Sequence, residues 1–351
     1  RGATVVVGTN GTRLTDDRIR SLQNAGVTGV AISIDSLDAR YHDRFRHGDG
    51  ALADTLAAAG RLRVHRLDFV VQTTLTRGNR HELAALAEWA DAHAAVAFNV
   101  YFLVATGRAE AMAGLTREEN DAVLRELTSL ERVYRGRMLV RSKCQPQIMR
   151  HVHDADPGSP LLNYATRCPC GVQYCRITPE GKVTPCPYLP EVAGDLRTQS
   201  FGDVWRYSPV FETLRSGRLG GKCGRCEYRA LCGGCRARAY SSTGDILAAD
   251  DSCLYEPDGD RAVIAPRAQT YGMAAQTELT WTDEARTRMQ RVPGFVRGVV
   301  TARVETYARE HGLNQVDAAL LDEIRRSMPI DFSRRAPFFM RAADTADTEE
   351  S

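Results

Sequence analysis

Short apolar runs alternate with amphipathic stretches along the first 143 residues. Thr4–Val7 is a β-rich run closed by the turn cluster Gly8-Thr9-Asn10-Gly11. Thr15 is placed to cap a helix through about Ala25. Asp16 and Asp17 suit its positive N-terminal end, and Gly26 ends it. Val27–Ile34 reads as a buried strand, Asp54–Leu62 as a helix and Leu67–Leu75 as the next strand. Asn79 then caps a helix over His81–His93, Val96–Val104 is a fourth strand, and residues 117–136 form a charged amphipathic helix. Strands that alternate with helices imply a parallel sheet, because each crossover returns the chain to the same end. An open doubly wound sheet and a (β/α) barrel both satisfy this pattern.

In either architecture ligands gather at the C-terminal ends of the strands. Those ends are small or polar: Thr9-Asn10-Gly11, Ser33-Ile34-Asp35-Ser36, Thr73-Thr74 and Ala105-Thr106-Gly107. His42, Asp43, Arg44, Arg46 and His47 read as a charged loop. Such a loop is either a solvated surface or the source of a guanidinium for a carboxylate.

The pattern changes after residue 143. Nine of the ten cysteines fall between Cys168 and Cys253, and the tenth is Cys144. Cys144 precedes His151-Val152-His153, which reads either as surface polarity or as part of a zinc corner. Cys168, Cys170, Cys175 and Cys186 follow, with a β-hairpin predicted over Ile177–Val183 around the turn Pro179-Glu180-Gly181. Cys223, Cys226, Cys232 and Cys235 then form two CxxC hooks five residues apart, flanked by glycines. Zinc ribbons space such hooks by ~15–20 residues, whereas iron–sulfur clusters accept four thiolates at close spacing. The thiols therefore point to iron–sulfur chemistry in a reducing, cytoplasmic setting rather than to disulfides.

Composition removes some classes. The 351 residues have room for roughly two domains and a small addition, and the apolar fraction of 43% is ordinary. No run approaches a membrane span. A net charge of +2, with Lys only at 143, 182 and 222, gives no field to draw in nucleic acid.

The cysteine block resembles the SPASM domain of radical S-adenosylmethionine (SAM) enzymes, whose pattern is C-x(9–15)-G-x4-C, then CxxC-x5-C-x(2–3)-C, then a further C. Cys170, Gly181 and Cys186 fit the first part; Cys223, Cys226, Cys232, Cys235 and Cys253 fit the rest. The resemblance implies one [4Fe–4S] cluster on Cys223, Cys226, Cys232 and Cys253. A second would take Cys175, Cys186, Cys235 and either Cys168 or Cys170. Residues 1–110 resemble the radical SAM partial barrel through V-A-I-S-I-D-S, H-D-R-F-R-H-G-D-G-A-L and T-T-L-T-R-G-N. By that resemblance Ser33, Asp35, Arg46 and Thr74 contact SAM. The family's C-x3-C-x2-C, which binds the SAM-cleaving cluster, does not occur in the sequence. The chain thus reads as beginning at the family's third strand, on the order of one hundred residues late. The expectation is an inactive chain drawn from an active parent, which would carry SAM and a third [4Fe–4S] cluster.

At the far end, W-T-D-E-A, R-V-P-G-F-V-R-G and E-T-Y-A-R-E-H-G-L resemble the small helical domain that ends light-independent protochlorophyllide reductase subunits. Helices are expected from Thr282/Asp283 to about Arg291, broken by Val292-Pro293-Gly294, then through Val296–Ala308 to a Gly312 cap, and over Val316–Met328. The expected fold is α/β: a partial (β/α) barrel (1–143), a linker (144–165), a SPASM auxiliary-cluster domain (166–257), a linker (258–278), a small helical domain (279–330) and a disordered tail (331–351). The resemblance, sharpened by C-G-G-C-R-A-R-A-Y and P-C-P-Y-L-P, implies an oxidoreductase-type enzyme that modifies tetrapyrrole side chains, as in haem biosynthesis. A 5′-deoxyadenosyl radical would abstract hydrogen. Its partners would be a small-molecule substrate and an electron donor such as ferredoxin or flavodoxin. The alternatives are a peptide maturase and a non-catalytic iron–sulfur scaffold. Some relatives place an Asp after the Gly-x4-Cys cysteine; Pro187 stands there, so no catalytic base is assigned.

Overall fold

The computed structural model describes residues 4–163, 167–266, 277–290 and 294–327, apart from four positions between 108 and 113. Five parallel strands lie in chain order: β1 (Val5–Thr9), β2 (Val27–Ser33), β3 (Asp68–Leu75), β4 (Ala97–Phe102) and β5 (Leu139–Lys143). A doubly wound sheet reverses its strand order at a switch point. This sheet does not, so it is wound one way, as the strands of a (β/α) barrel are. The helices between them are α1 (Asp16–Asn24), α2 (Ala39–Arg46), α3 (Ala51–Val64), α4 (Leu83–Ala92) and α5 (Arg117–Tyr134).

Local chemistry sets the helix ends. The Arg18 amide donates to Thr15 Oγ1 at the start of α1, and Gly26 adopts φ +81° just past its end. At α5 a reciprocal capping box forms: Glu119 N donates to Thr116 Oγ1 at 3.1 Å, and Thr116 N to Glu119 Oε2 at 2.8 Å.

The two faces of the sheet differ by strand alternation. Val30, Ile32, Phe69, Val71, Phe98, Val100 and Val140 bury one face in the main core with the helices. On the other face a small apolar floor of Ala31, Val70 and Ala97 gives way, towards the strands' C-terminal ends, to polar rows. Ser33, Gln72, Asn99 and Arg141 are in register, and so are Thr74, Tyr101 and Lys143 one step further on.

Several expectations are corrected. The stretch read as a charged loop is α2, capped by Asp38, with His42 buried beneath it accepting from the Asp35 amide at 3.2 Å. A fifth strand, β5, stands where none was expected. Residues 144–165, expected as a linker, contain helix α6 (Ile148–Ala155), whose Ile148, Met149 and Val152 join the main core. The expected hairpin forms as β6 (Arg176–Ile177) and β7 (Lys182–Thr184), with β8 (Gly194–Asp195) alongside. The short helices α7 (Phe201–Tyr207), α8 (Pro209–Arg215), α9 (Gly221–Arg225) and α10 (Arg236–Thr243) complete the cysteine-rich region.

At the C-terminal end β9 (Thr280–Trp281) pairs in parallel with β10 (Gln315–Val316), around α11 (Asp283–Gln290), α12 (Gly294–Glu310) and α13 (Ala318–Ser327). Val316 belongs to a strand rather than to the third helix, which Asp317 caps. The buried Glu305 carboxylate accepts from Glu278 N (2.9 Å), Leu279 N (3.3 Å) and Trp281 Nε1 (2.8 Å). Arg291, the Val292-Pro293 break, Met328 and the 331–351 tail lie outside the described residues, as does half of the 258–278 linker. Among the described residues no helix is long and apolar enough to cross a membrane.

The zinc-corner reading of His151 and His153 is not supported. His151 is buried with Nε2 3.0 Å from Asp121 Oδ1, while His153 meets the Tyr228 ring edge-on. Burial pushes the His151 pKa from 6.5 down to about 4, with the Arg150 charge adding to it. The folded state therefore binds this proton less tightly than the unfolded chain. The stability it contributes is complete above pH 6.5 and is lost as pH falls towards 4. Unfolding free energies from urea titrations should drop between pH 7 and pH 5, by on the order of 2 kcal/mol, and His151→Gln should flatten that slope.

Candidate iron–sulfur centres and the sheet mouth

The second cysteine group rims one cleft. Cys223, Cys226, Cys232 and Cys253 line it together with Gln147, Lys222, Tyr228 and Tyr255. Backbone amides point at the sulfurs: Asp250 N to Cys223 Sγ and Gly234 N to Cys232 Sγ, both at 3.4 Å. The turn Gly233-Gly234 makes this possible. Both glycines lie in the left-handed region (φ +63° and +68°), and a Cβ on Gly234 would stand 3.1 Å from Cys223 Sγ and 2.7 Å from Asp250 Cβ. Lys222 Nζ donates to Cys253 O at 2.7 Å and fixes that end of the cleft. Burial pushes the Cys226 thiol up to about 11.

The first group converges where the hairpin meets α10. The Cys168 and Cys170 sulfurs are 3.3 Å apart, and hydrogen bonding links Cys168 to Cys235 and Cys170 to Cys186. Hydrogen bonds from Cys170 and Cys235 hold the Cys168 thiol well below its ordinary value. Tyr188 N donates to Cys186 Sγ at 3.4 Å. Cys175 packs against the same apolar cluster, but no described thiol interacts with it, and burial alone raises its pKa. Cys144 joins the group instead. Held at φ +61° just past β5, it feels Cys168 and Cys186 electrostatically and is hydrogen-bonded by Tyr188. Burial pushes its thiol up to about 12.

Among the described residues no three His, Cys, Asp or Glu side chains converge as a single metal ion requires. The second group rims a cleft and the first packs sulfur against sulfur, with amide donors at sulfur and glycines where a side chain would intrude. This soft donor set suits [4Fe–4S] clusters, which supply one-electron chemistry when bound. Asp250 and Gln147, which the sequence reading did not single out, also shape the sites; both are buried, as are Arg236 and Arg238 of the C-G-G-C-R-A-R-A-Y run. A polar side chain next to a cysteine motif was the only signal for them, and it is a weak one.

At the sheet mouth, Asp35 is fully buried. Its carboxylate takes Arg46 Nε at 2.5 Å and Thr74 N at 2.8 Å, while Asn79 Nδ2 donates to its carbonyl at 2.6 Å. Ser33, Arg46 and Thr74 are half-buried. The arrangement brings Asp35, Arg46 and Thr74 together, with Asp35 orienting Arg46 rather than standing open itself, while Ser33 lies in register with Gln72 on the neighbouring strand.

Comparison with known proteins accords with this architecture. Residues 1–90 match the radical SAM superfamily, 168–236 an iron–sulfur cluster-binding (SPASM) domain, and 281–325 the proto-chlorophyllide reductase 57 kD subunit family. The AdoMet-dependent heme synthase of Methanosarcina barkeri is 35% identical over 266 residues, which cover 73% of this chain and 76% of that one. The PqqA peptide cyclase of Methylocella silvestris is 29% identical, over 78% and 72%. The crystal structure of Streptococcus suis SuiB superposes with a TM-score of 0.55 at 14% identity, over 71% of this chain and 60% of that one, a likeness of fold alone. The chain belongs to the radical SAM superfamily, in the branch that carries a SPASM iron–sulfur domain. The cofactors of these domains are [4Fe–4S] clusters and SAM, and the family is one of enzymes.

Three substitutions check the geometry of the two cysteine groups. Gly234→Ala should lose about half of the iron bound after anaerobic reconstitution, because its Cβ meets Cys223 Sγ and Asp250 in a backbone conformation costing about 1–2 kcal/mol. Cys175→Ser should keep its iron while Cys186→Ser loses a cluster, read by iron and sulfide analysis.

Proposed function

We propose that this chain serves a radical SAM enzyme acting on the carboxylate side chains of a tetrapyrrole. Cys223, Cys226, Cys232 and Cys253 would hold one auxiliary [4Fe–4S] cluster, and Cys168, Cys170, Cys186 and Cys235 the other. SAM, when reductively cleaved, supplies the hydrogen-abstracting radical, and a small electron carrier such as ferredoxin or flavodoxin would feed the centres. Ser33, Arg46 and Thr74 would meet SAM, with Asp35 holding Arg46.

The observation that carries the substrate class is the basic end of the polar sheet face. Arg141 and Lys143 project from β5 on the face that also bears Tyr101, Asn99 and Gln72, at the end of the strands where ligands bind. Arg141 Nε donates to Asn99 Oδ1 at 3.0 Å, and Gln72 Nε2 to Tyr101 OH at 3.2 Å. Lys143 has no carboxylate within ion-pair distance among the described residues. Such a surface suits an acidic ligand. The identity to relatives named heme synthase and the match of residues 281–325 to a protochlorophyllide-reductase family support the same reading.

Binding tests it without turnover. Iron coproporphyrin should shift its Soret band on titration with the reconstituted chain, whereas its tetramethyl ester should bind far more weakly. Lys143→Met should weaken binding of the free acid about 10- to 100-fold, the loss of one charge-assisted hydrogen bond. Equal binding of acid and ester, or no shift with either, would overturn the assignment.

A further inference from the structure

The two cysteine groups meet at one carboxylate. Asp250 is fully buried, and four donors converge on it. Oδ2 accepts from Cys235 N at 2.7 Å and from Gln147 Nε2 at 3.1 Å. Oδ1 accepts from Ser252 N at 3.1 Å and from Ser252 Oγ at 2.7 Å. Four N–H or O–H groups match the four lone-pair sites of an ionised carboxylate. The backbone of the same residue faces the other group, its amide donating to Cys223 Sγ at 3.4 Å.

No cationic side chain lies within ion-pair distance of Asp250 among the described residues. The nearby Arg236 guanidinium is engaged elsewhere, with Gly233 O at 2.6 Å, Ala248 O at 2.7 Å and Ile246 O at 3.0 Å. The Asp250 charge is therefore held by neutral donors. Burial raises the Cys232 and Cys253 thiols, the hydrogen bond with Cys168 raises Cys235, and the Asp250 charge adds to each.

We propose that Asp250 is a positioning residue shared by both auxiliary cluster sites. It fixes Cys223 through its amide and Cys235 through its carboxylate, and its charge sets the reduction potentials of the two clusters together. The proposal rests on the ligand sets given above. A buried negative charge disfavours adding an electron to any centre near it, and a low local dielectric strengthens the effect. Hydrogen bonds to cluster sulfurs shift potentials as well. One residue reaching both sites would shift the two potentials in the same direction and so preserve the driving force between the centres.

The test is a redox titration of the full reconstituted chain under anaerobic conditions, followed by electron paramagnetic resonance, each cluster taking one electron from dithionite. Asp250→Asn should retain near eight irons and move both midpoint potentials upward. Ser252→Ala keeps the charge but removes one donor, and should move both downward. A shift confined to one cluster, or none, with iron retained, overturns the proposal. If Asp250→Asn fails to assemble, the Ser252→Ala pair of shifts decides it. Wild-type chain with fewer than two clusters would overturn the ligand assignment and the proposal with it. Two clusters with unmoved potentials would overturn the proposal alone.

Discussion

Two buried guanidinium groups hold the cysteine-rich region in place. Arg236 and Arg238 occupy the first turn of α10, directly after Cys235, and neither forms an ion pair among the described residues. Arg236 draws the carbonyls of Gly233, Ile246 and Ala248 around itself, and so closes the loops that carry Cys232 and Cys253. Arg238 reaches the other way. Its Nη2 donates to Leu103 O at 2.6 Å past the end of β4, and its Nη1 to Cys144 O and Gln145 Oε1 past the end of β5. A planar fork of donors suits such carbonyl clusters, and a buried charge tolerates burial only when its donors are used. The cysteine groups are thereby referenced to the strand ends from which the polar face opens.

That geometry divides labour across the sheet. The helix-facing side is apolar and continuous, and it supplies the main core. The other side rises from the apolar floor of Ala31, Val70 and Ala97 to Ser33, Gln72, Asn99 and Arg141, then to Thr74, Tyr101 and Lys143. Strand period alone, applied to segments whose alternate positions change from apolar to polar, builds a polar surface at the strands' C-terminal ends.

Much of this was legible in the sequence. The first four strands and their parallel sense followed from apolar runs between helical stretches, and the hairpin followed from Pro179-Glu180-Gly181. What escaped notice had weak periodic signals. β5 reads L-V-R-S-K, too short and too charged at its alternate positions to stand out. α2 reads A-R-Y-H-D-R-F-R, where the fully buried residue is a histidine rather than an aliphatic. The cysteine spacing pointed to thiolate chemistry, and the family resemblance supplied the expected ligand sets. Neither singled out Cys144, which folds back to the first group across more than twenty residues of chain. Asp250 carried no signal, because its importance lies in what it touches.

The turn Cys232-Gly233-Gly234-Cys235 sends its two cysteines into different groups. Cys232 lines the cleft with Cys223, and Cys235 interacts with Cys168. On the ligand reading proposed above, inserting either cluster freezes a turn in which two of four residues are glycines with wide conformational freedom. The first cluster to be inserted therefore removes part of the entropy opposing the second. Maturation of the two centres becomes cooperative, and half-loaded chains become a minority species during assembly.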